Sequence, residues 1–154
     1  MQKIKPCLWF DDQAQEAAEF YVSVFGGDSR VVDVMHHTEA SPGEPGTVLT
    51  VDFVLAGQEY VALNGGPQFT FSEAVSLSVD CADQEEVDAL WAKLTEGGEE
   101  SMCGWLKDKY GLSWQIVPRA LHEVLSDPDR ARADRAMKAM MGMRKLDVQA
   151  LCDA

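Results

Sequence analysis

The sequence predicts an α+β protein made of two tandem βαβββ modules and a C-terminal helical tail. The chain has 154 residues, of which 46% are hydrophobic and 25% charged, and this composition is typical of a folded globular protein. The predicted strands and helices occur twice in the same order, with matching motifs 69 to 71 residues apart. A methionine-containing segment with helical spacing follows the second copy.

The first module is predicted over residues 1–66. An apolar strand over 3–10 precedes a helix whose expected N-cap is Asp12, with Gln15 three residues later as in a capping box. The helix is expected to end at Gly26-Gly27. The remaining strands are predicted over 30–36, 47–55 and 59–63, with an irregular loop over 39–46 and a hairpin turn at Ala56-Gly57.

The second module is predicted over residues 67–118. Its strands are expected over 74–79, 101–106 and 112–117, and Asp83 is the expected N-cap of its helix. Tyr21 and Trp91 occupy matching helix positions and are predicted core residues. Neither module alone covers both faces of its sheet, so we expect the two to pair.

The tail is predicted over residues 119–154. Asp127 is the expected N-cap of a helix that has Pro128 at its first position. Methionines at helical spacing are more typical of core or dimer contacts than of a cofactor site. These methionines are Met137, Met140, Met141 and Met143. We therefore expect the tail to pack on the modules or on a partner subunit, as in a homodimer.

The net charge limits the possible partners. The chain has 13 Lys and Arg against 26 Asp and Glu, a formal net charge of −13. This charge repels phosphate backbones and anionic lipids, so neither a nucleic-acid partner nor a membrane partner is expected. It favours cationic ligands, although it also serves solubility. Four widely spaced cysteines and the lack of a recognisable secretory signal lead us to expect a cytoplasmic protein with reduced thiols.

Four motifs resemble those of the PhnB-like family, which carries the label 3-demethylubiquinone-9 3-methyltransferase. They lie at 6–11, 62–67, 103–108 and 114–118 and read PCLWFD, ALNGGP, CGWLKD and WQIVP. The resemblance extends over nearly the whole chain, including the tail. It implies membership of the glyoxalase–bleomycin resistance–dioxygenase (vicinal oxygen chelate) superfamily. It also implies that the two modules form a cupped mixed sheet in a homodimer.

The methyltransferase label is not supported by the motifs. Binding of S-adenosylmethionine normally uses a glycine-rich turn between a strand and a helix, whereas Gly26-Gly27 and Gly97-Gly98 follow predicted helices. Methyl transfer from this cofactor is therefore disfavoured, and no cofactor is expected.

The resemblance also implies where a metal would be bound in metal-dependent members. The four ligand positions correspond to Lys5, Val61, Ala74 and Gln115, and a two-residue shift would substitute Glu59 for Val61. Valine and alanine cannot ligate a metal, and a protonated lysine has no free lone pair. His36 and His37 point to opposite faces of a predicted strand, and His122 lies outside the modules. We therefore expect no metal.

A small-molecule pocket is expected on the sheet faces that the superfamily uses. Its predicted substrate-binding residues are Lys5, Cys7, Trp9, Asn64, Cys103, Trp105 and Gln115. Cys103 and Trp105 are expected to share a face. The only plausible nucleophiles are Cys7 and Cys103, but the sequence places no base beside either of them, so inert cysteines are favoured and the catalytic residues are unknown.

Three functions are compatible with these features. The first is binding of a small organic molecule, with or without a metal-independent reaction. The second is non-catalytic sequestration of a cationic ligand, as in bleomycin-resistance proteins. The third is a metal-dependent lyase or dioxygenase reaction.

Overall fold

Two four-stranded mixed sheets, each covered by a helix, confirm the predicted α+β class. The computed structural model describes residues 2–154 and forms one unit that ends at Thr70 and a second from Phe71 to Ala154. The tail helices belong to the second unit. None of the helices in residues 2–154 combines the length and apolar composition needed to span a membrane.

The first unit follows the predicted order of elements. These are β1 (Cys7–Phe10), α1 (Ala14–Phe25), β2 (Arg30–His36), β3 (Val48–Leu55) and β4 (Gln58–Asn64). The strand order in the sheet is β1-β4-β3-β2, with β1 parallel to β4 and the other pairs antiparallel. Ala56 and Gly57 both have positive φ, which closes the β3–β4 hairpin at the predicted turn.

The core of the first unit lies between α1 and one face of the sheet. Leu8 and Phe10 of β1 are buried on this face, and the alternation of the strand turns Cys7 and Trp9 to the other face. Tyr21 of α1 is fully buried, as predicted, and stacks 6.4 Å from the Phe53 ring. The opposite face of the sheet is thus free of α1.

The predicted N-cap of α1 is wrong. Gln13, not Asp12, occupies the cap position, and its side chain makes no capping hydrogen bond. Instead Asn64, at the end of β4, accepts from the backbone N–H of Ala14 at 2.8 Å. Asn64 also donates to the Val48 carbonyl at 3.1 Å. A side chain 50 positions away therefore begins this helix, which local spacing does not show.

The second unit contains an element that the sequence did not predict. Its elements are β5 (Ser76–Cys81), α2 (Gln84–Thr95), β6 (Glu99–Glu100), β7 (Trp105–Lys107) and β8 (Ser113–Pro118). The strand order is β5-β8-β7-β6. The predicted strand over 101–106 is wrong, because Cys103 and Gly104 have positive φ and form a turn between β6 and β7. Asp83 caps α2 as predicted, accepting from the Glu86 N–H at 3.0 Å.

Asp108 holds the turn that joins β7 to β8. Its side chain is buried, and Oδ1 accepts from the backbone N–H groups of Tyr110 at 2.8 Å and Leu112 at 3.1 Å. Oδ2 accepts from Nε1 of the buried Trp114 at 2.9 Å. One carboxylate therefore pairs three donors and sets the direction in which β8 leaves the turn.

The tail forms three helices, α3 (Arg119–Leu125), α4 (Arg130–Met141) and α5 (Val148–Asp153). The expected N-cap at Asp127 is wrong by two residues, since Asp129 caps α4 through the Ala131 N–H at 3.1 Å. The methionines divide into two pairs. Met140 and Met143 pack on the apolar cluster of the tail, whereas Met137 and Met141 are exposed.

The side chain of Gln84, in α2, makes two hydrogen bonds to the backbone of the tail. Its Oε1 accepts from the Val148 N–H at 2.7 Å, and its Nε2 donates to the Leu146 carbonyl at 3.0 Å. Both of these backbone groups lie at the start of α5, so one side chain orients the last helix.

Gln84→Ala is expected to lower the free energy of unfolding by about 1–2 kcal/mol, because these backbone groups lose their partners. Chemical denaturation measures the change, and amide hydrogen exchange at Val148 should accelerate. The control is Gln149→Ala, whose exposed side chain bonds only within α5 and should change stability by less than about 0.5 kcal/mol. Equal effects of the two substitutions would show that the hydrogen bonds of Gln84 to the tail do not contribute to stability.

Candidate functional site

The open face of the first sheet carries the residues predicted on β1. Strand register places Cys7 beside Val61, and Trp9 beside Leu63. Lys5 lies just before β1, and its Nζ is 3.9 Å from Oδ1 of Asp52 on β3. The lysine is therefore engaged with a carboxylate on the sheet.

A large groove lies in the first unit, with a volume of about 920 Å³. We call it the Trp9 groove. Its aromatic and polar lining consists of Trp9, Asp11, Asp12, Gln15, His37, Glu44, Thr47, Asn64 and Gln68. The loop between β2 and β3 forms one wall, and the segment after β4 forms another. Trp9 and Asn64 are thus the predicted site residues that this groove brings together.

The Trp9 indole is held in one orientation. Its Nε1 donates to the Gly66 carbonyl at 2.9 Å, and the Phe69 ring meets it edge-on at 4.9 Å between centroids. Gly65 lies against the ring so closely that an added Cβ would come within 2.3 Å of an indole carbon. The tryptophan therefore forms a rigid wall.

His37 and Glu44 enter the groove from the β2–β3 loop. His37 Nδ1 lies 3.0 Å from Oγ of Ser41, and that hydroxyl also accepts from the Thr38 N–H at 2.9 Å. The Ser41 hydroxyl therefore stabilises the loop through its hydrogen bonds to His37 and Thr38. Sequence reasoning missed both groove residues, because His37 has no distinguishing pattern and the loop is recognisable only as irregular.

A second, smaller groove lies in the second unit, with a volume of about 180 Å³. We call it the Trp105 groove. Its lining is Glu73, Glu99, Glu100, Ser101, Trp105, Leu106, Lys107 and Ser113. Gln115 pairs with Trp105 across β7 and β8, and its Nε2 donates to Ser76 Oγ at 3.0 Å.

Cys103 lines neither of the two grooves. It sits in the β6–β7 turn, where its N–H donates to the Met143 carbonyl at 2.7 Å and its Sγ is 3.8 Å from Met141 Sδ. Burial raises the pKa of the Cys7 thiol, and burial together with the nearby Glu86 carboxylate raises the pKa of Cys81 to about 12. These two thiols are therefore protonated and weakly nucleophilic at neutral pH.

The residues at the superfamily's metal-ligand positions do not fit a metal. Lys5 is paired with Asp52, Val61 and Ala74 have no donor atom, and Gln115 alone offers an oxygen. Throughout residues 2–154, no group of three or more His, Cys, Asp or Glu side chains could hold a metal ion.

The fold and the groove define the class of protein, an α+β protein of two four-stranded mixed sheets with an aromatic groove. The model of the 3-demethylubiquinone-9 3-methyltransferase family matches residues 2–117. The chain is 39% identical to the putative 3-demethylubiquinone-9 3-methyltransferase, PhnB protein, of Bacillus cereus, with a TM-score of 0.69. This match covers 76% of our chain and 99% of that chain. The chain therefore belongs to this family, as the motifs indicated.

More distant structures share the fold alone. Protein PA1353 of Pseudomonas aeruginosa is 21% identical, with a TM-score of 0.62, over 77% of our chain and 98% of its own. The fosfomycin resistance protein FosX of Listeria monocytogenes, solved with Mn(II) and sulfate, is 16% identical, with a TM-score of 0.51, over 74% of our chain and 90% of its own. None of the curated proteins matches the chain.

The comparisons correct one expectation about the tail. The resemblance to the family was expected to include it, but the family match ends at Val117. Helices α3 to α5 therefore lie beyond the part of the chain that the family model describes.

Proposed function

We propose that this protein binds a small organic cation in the Trp9 groove. One observation carries the proposal: a rigid indole and three carboxylates, those of Asp11, Asp12 and Glu44, line one groove of about 920 Å³. This volume is in the range of small-molecule sites. Binding of this kind matches the sequestering members of the superfamily.

The electrostatics of the groove favour a positive guest. Among the described residues that line it, none is lysine or arginine. An ammonium group over an aromatic face gains about 0.5–2 kcal/mol, and most when it is desolvated. The net charge of −13 adds a long-range attraction that raises the local concentration of cations.

The positions of the glycine pairs do not support the family's methyltransferase label. Gly26 follows α1, and Gly97 and Gly98 follow α2, so these glycines end helices rather than join a strand to a helix. The thiols of Cys7 and Cys81 are protonated at neutral pH because their pKa values are raised, so they do not favour a covalent reaction. The proposal is therefore binding, without an assigned reaction.

The test compares three ligands of similar shape by calorimetric titration. These are choline, its neutral isostere 3,3-dimethylbutanol, and the anion 3,3-dimethylbutanoate. Choline is expected to bind about 2- to 30-fold more tightly than the neutral isostere, which is the cation–π range converted to affinity. The Listeria protein is named for resistance to fosfomycin; this compound is an anion and is expected not to bind to our chain.

Variants locate the binding. Trp9→Leu should reduce the preference for choline over the neutral isostere, and Glu44→Gln should weaken the binding of choline alone. The controls are Trp105→Leu, in the other groove, and Glu39→Gln, an exposed residue of the same loop that does not line the groove. The proposal fails if the isostere binds as tightly as choline, or if Trp105→Leu has the same effect as Trp9→Leu.

A further inference from the structure

Ser113 of β8 carries a buried polar atom that has no partner. The residue is 1% exposed, and its Oγ is the one buried side-chain nitrogen or oxygen without a hydrogen bond among residues 2–154. Buried hydroxyls are almost always hydrogen-bonded, because leaving one unpaired is costly. Ser113 lines the Trp105 groove, so the residue with the unpaired hydroxyl borders a cavity.

Lys107 lies opposite Ser113 on the neighbouring strand. Residues 107 and 113 are register partners in the antiparallel β7–β8 pair, so their side chains share a face. The Lys107 ammonium donates to the Glu73 carboxylate, and this hydrogen bond raises the pKa of the lysine, which keeps it protonated.

Glu73 is a weakly held partner for Lys107. Its side chain is 61% exposed and lies in a turn before β5, and an ion pair this exposed contributes little to stability. A ligand carboxylate could replace it on Lys107 and also accept from the Ser113 hydroxyl. Such a ligand would gain a hydrogen bond that Glu73 does not make in the structure.

We infer that the Trp105 groove binds a small zwitterionic amino carboxylate. Its carboxylate takes the place of Glu73 on Lys107 and accepts from Ser113 Oγ. The volume of about 180 Å³ equals roughly six water molecules at about 30 Å³ each, so a ligand the size of glycine fits. This site shares no lining residue with the Trp9 groove, and it takes a different chemical class of ligand.

The charge of the groove explains why the ligand must carry both signs. The lining contains three glutamates and one lysine, so a simple anion enters against a negative field. An ammonium group on the same ligand matches that field. Glu100 already accepts a hydrogen bond from Trp91 Nε1 at 2.7 Å. The ligand ammonium would therefore pair with Glu99, which is the register partner of Lys107 in β6–β7, or with the displaced Glu73.

The test is an NMR titration of the full chain with glycine, acetate and methylammonium chloride at constant ionic strength. The reporters are the Ser113 amide and the Trp105 indole N–H, and the Trp9 indole N–H is the internal reference. Glycine is expected to shift both reporters and to bind severalfold more tightly than either single-charge probe. The inference is overturned if the reporters do not respond, or if acetate or methylammonium binds as tightly as glycine.

Variants separate this site from a simple water pocket. Ser113→Ala should weaken glycine by about ten-fold while leaving the melting temperature equal or higher, because the removed hydroxyl had no partner. Lys107→Met should abolish binding, and Glu73→Gln should strengthen acetate by freeing the lysine. The control is Lys93→Met, an exposed residue of α2. Unchanged glycine affinity in Ser113→Ala, with a lower melting temperature, would show that the hydroxyl holds an ordered water instead.

Choline binding is tested by substitutions in the Trp9 groove, and glycine binding by substitutions in the Trp105 groove. Loss of one in the tests above leaves the other intact, so failure of this inference is distinguishable from failure of the proposed function.

Discussion

Asp108→Ala is expected to lower the free energy of unfolding by about 3–5 kcal/mol. The substitution leaves three donors without their acceptor, and those of Leu112 and Trp114 lie on buried residues. Each unpaired buried donor costs about 1–3 kcal/mol. Urea denaturation monitored by tryptophan fluorescence measures the loss, and the fluorescence of Trp114 should also report the altered turn.

Two further variants test the reason for this loss. Asp108→Asn keeps the shape but offers a single acceptor oxygen, so its cost should fall between those of wild type and Asp108→Ala. Asp134→Ala removes an exposed carboxylate that pairs with Lys138 at 3.4 Å, and should cost less than about 1 kcal/mol. If Asp108→Asn is as stable as wild type, the three hydrogen bonds are not the cause.

Gly98→Ala is expected to cost about 3 kcal/mol, the upper part of the range for overpacking. A Cβ at position 98 would lie 2.1 Å from the Lys107 carbonyl oxygen and 2.8 Å from the Asp108 carbonyl carbon. Both obstacles are backbone, so the segment after α2 must move away from β7. Thermal and chemical denaturation measure the loss.

Gly142→Ala is the matched control for this substitution. The nearest atom to its added Cβ is the Ala139 oxygen at 3.7 Å, an ordinary contact, and its φ is −96°. Its stability should stay within about 0.5 kcal/mol of wild type. Similar losses for the two glycines would mean that the close approach to β7 is not responsible.

Local signals predicted much of the fold. The bounds of β2 were predicted as the structure has them, and Asp83 caps α2, because both features depend on neighbouring residues. The start of α1 could not be predicted in this way. Asp12 looks like a cap in sequence, but the helix is capped by Asn64, which reaches it only after β4 has folded beside β1.

The grooves were harder to predict than the strands. In β1, Leu8 and Phe10 are buried and Cys7 and Trp9 lie on the other face, yet the wall opposite Trp9 comes from an irregular loop without periodicity. Cys103 was expected to share a strand face with Trp105, but Cys103 and Gly104 have positive φ and form a turn that contacts the tail. The missing partner of Ser113 is a property of packing, and no sequence pattern expresses it.

The close contact between Gly65 and the Trp9 ring has an evolutionary consequence. Alanine and serine are each one base change away from a glycine codon, and either side chain would push the indole out of its present position. A single mutation at a residue that need not touch the guest would therefore reshape the aromatic wall. Ligand preference in this family could therefore change through one substitution at position 65, without any change in the strands of the sheet.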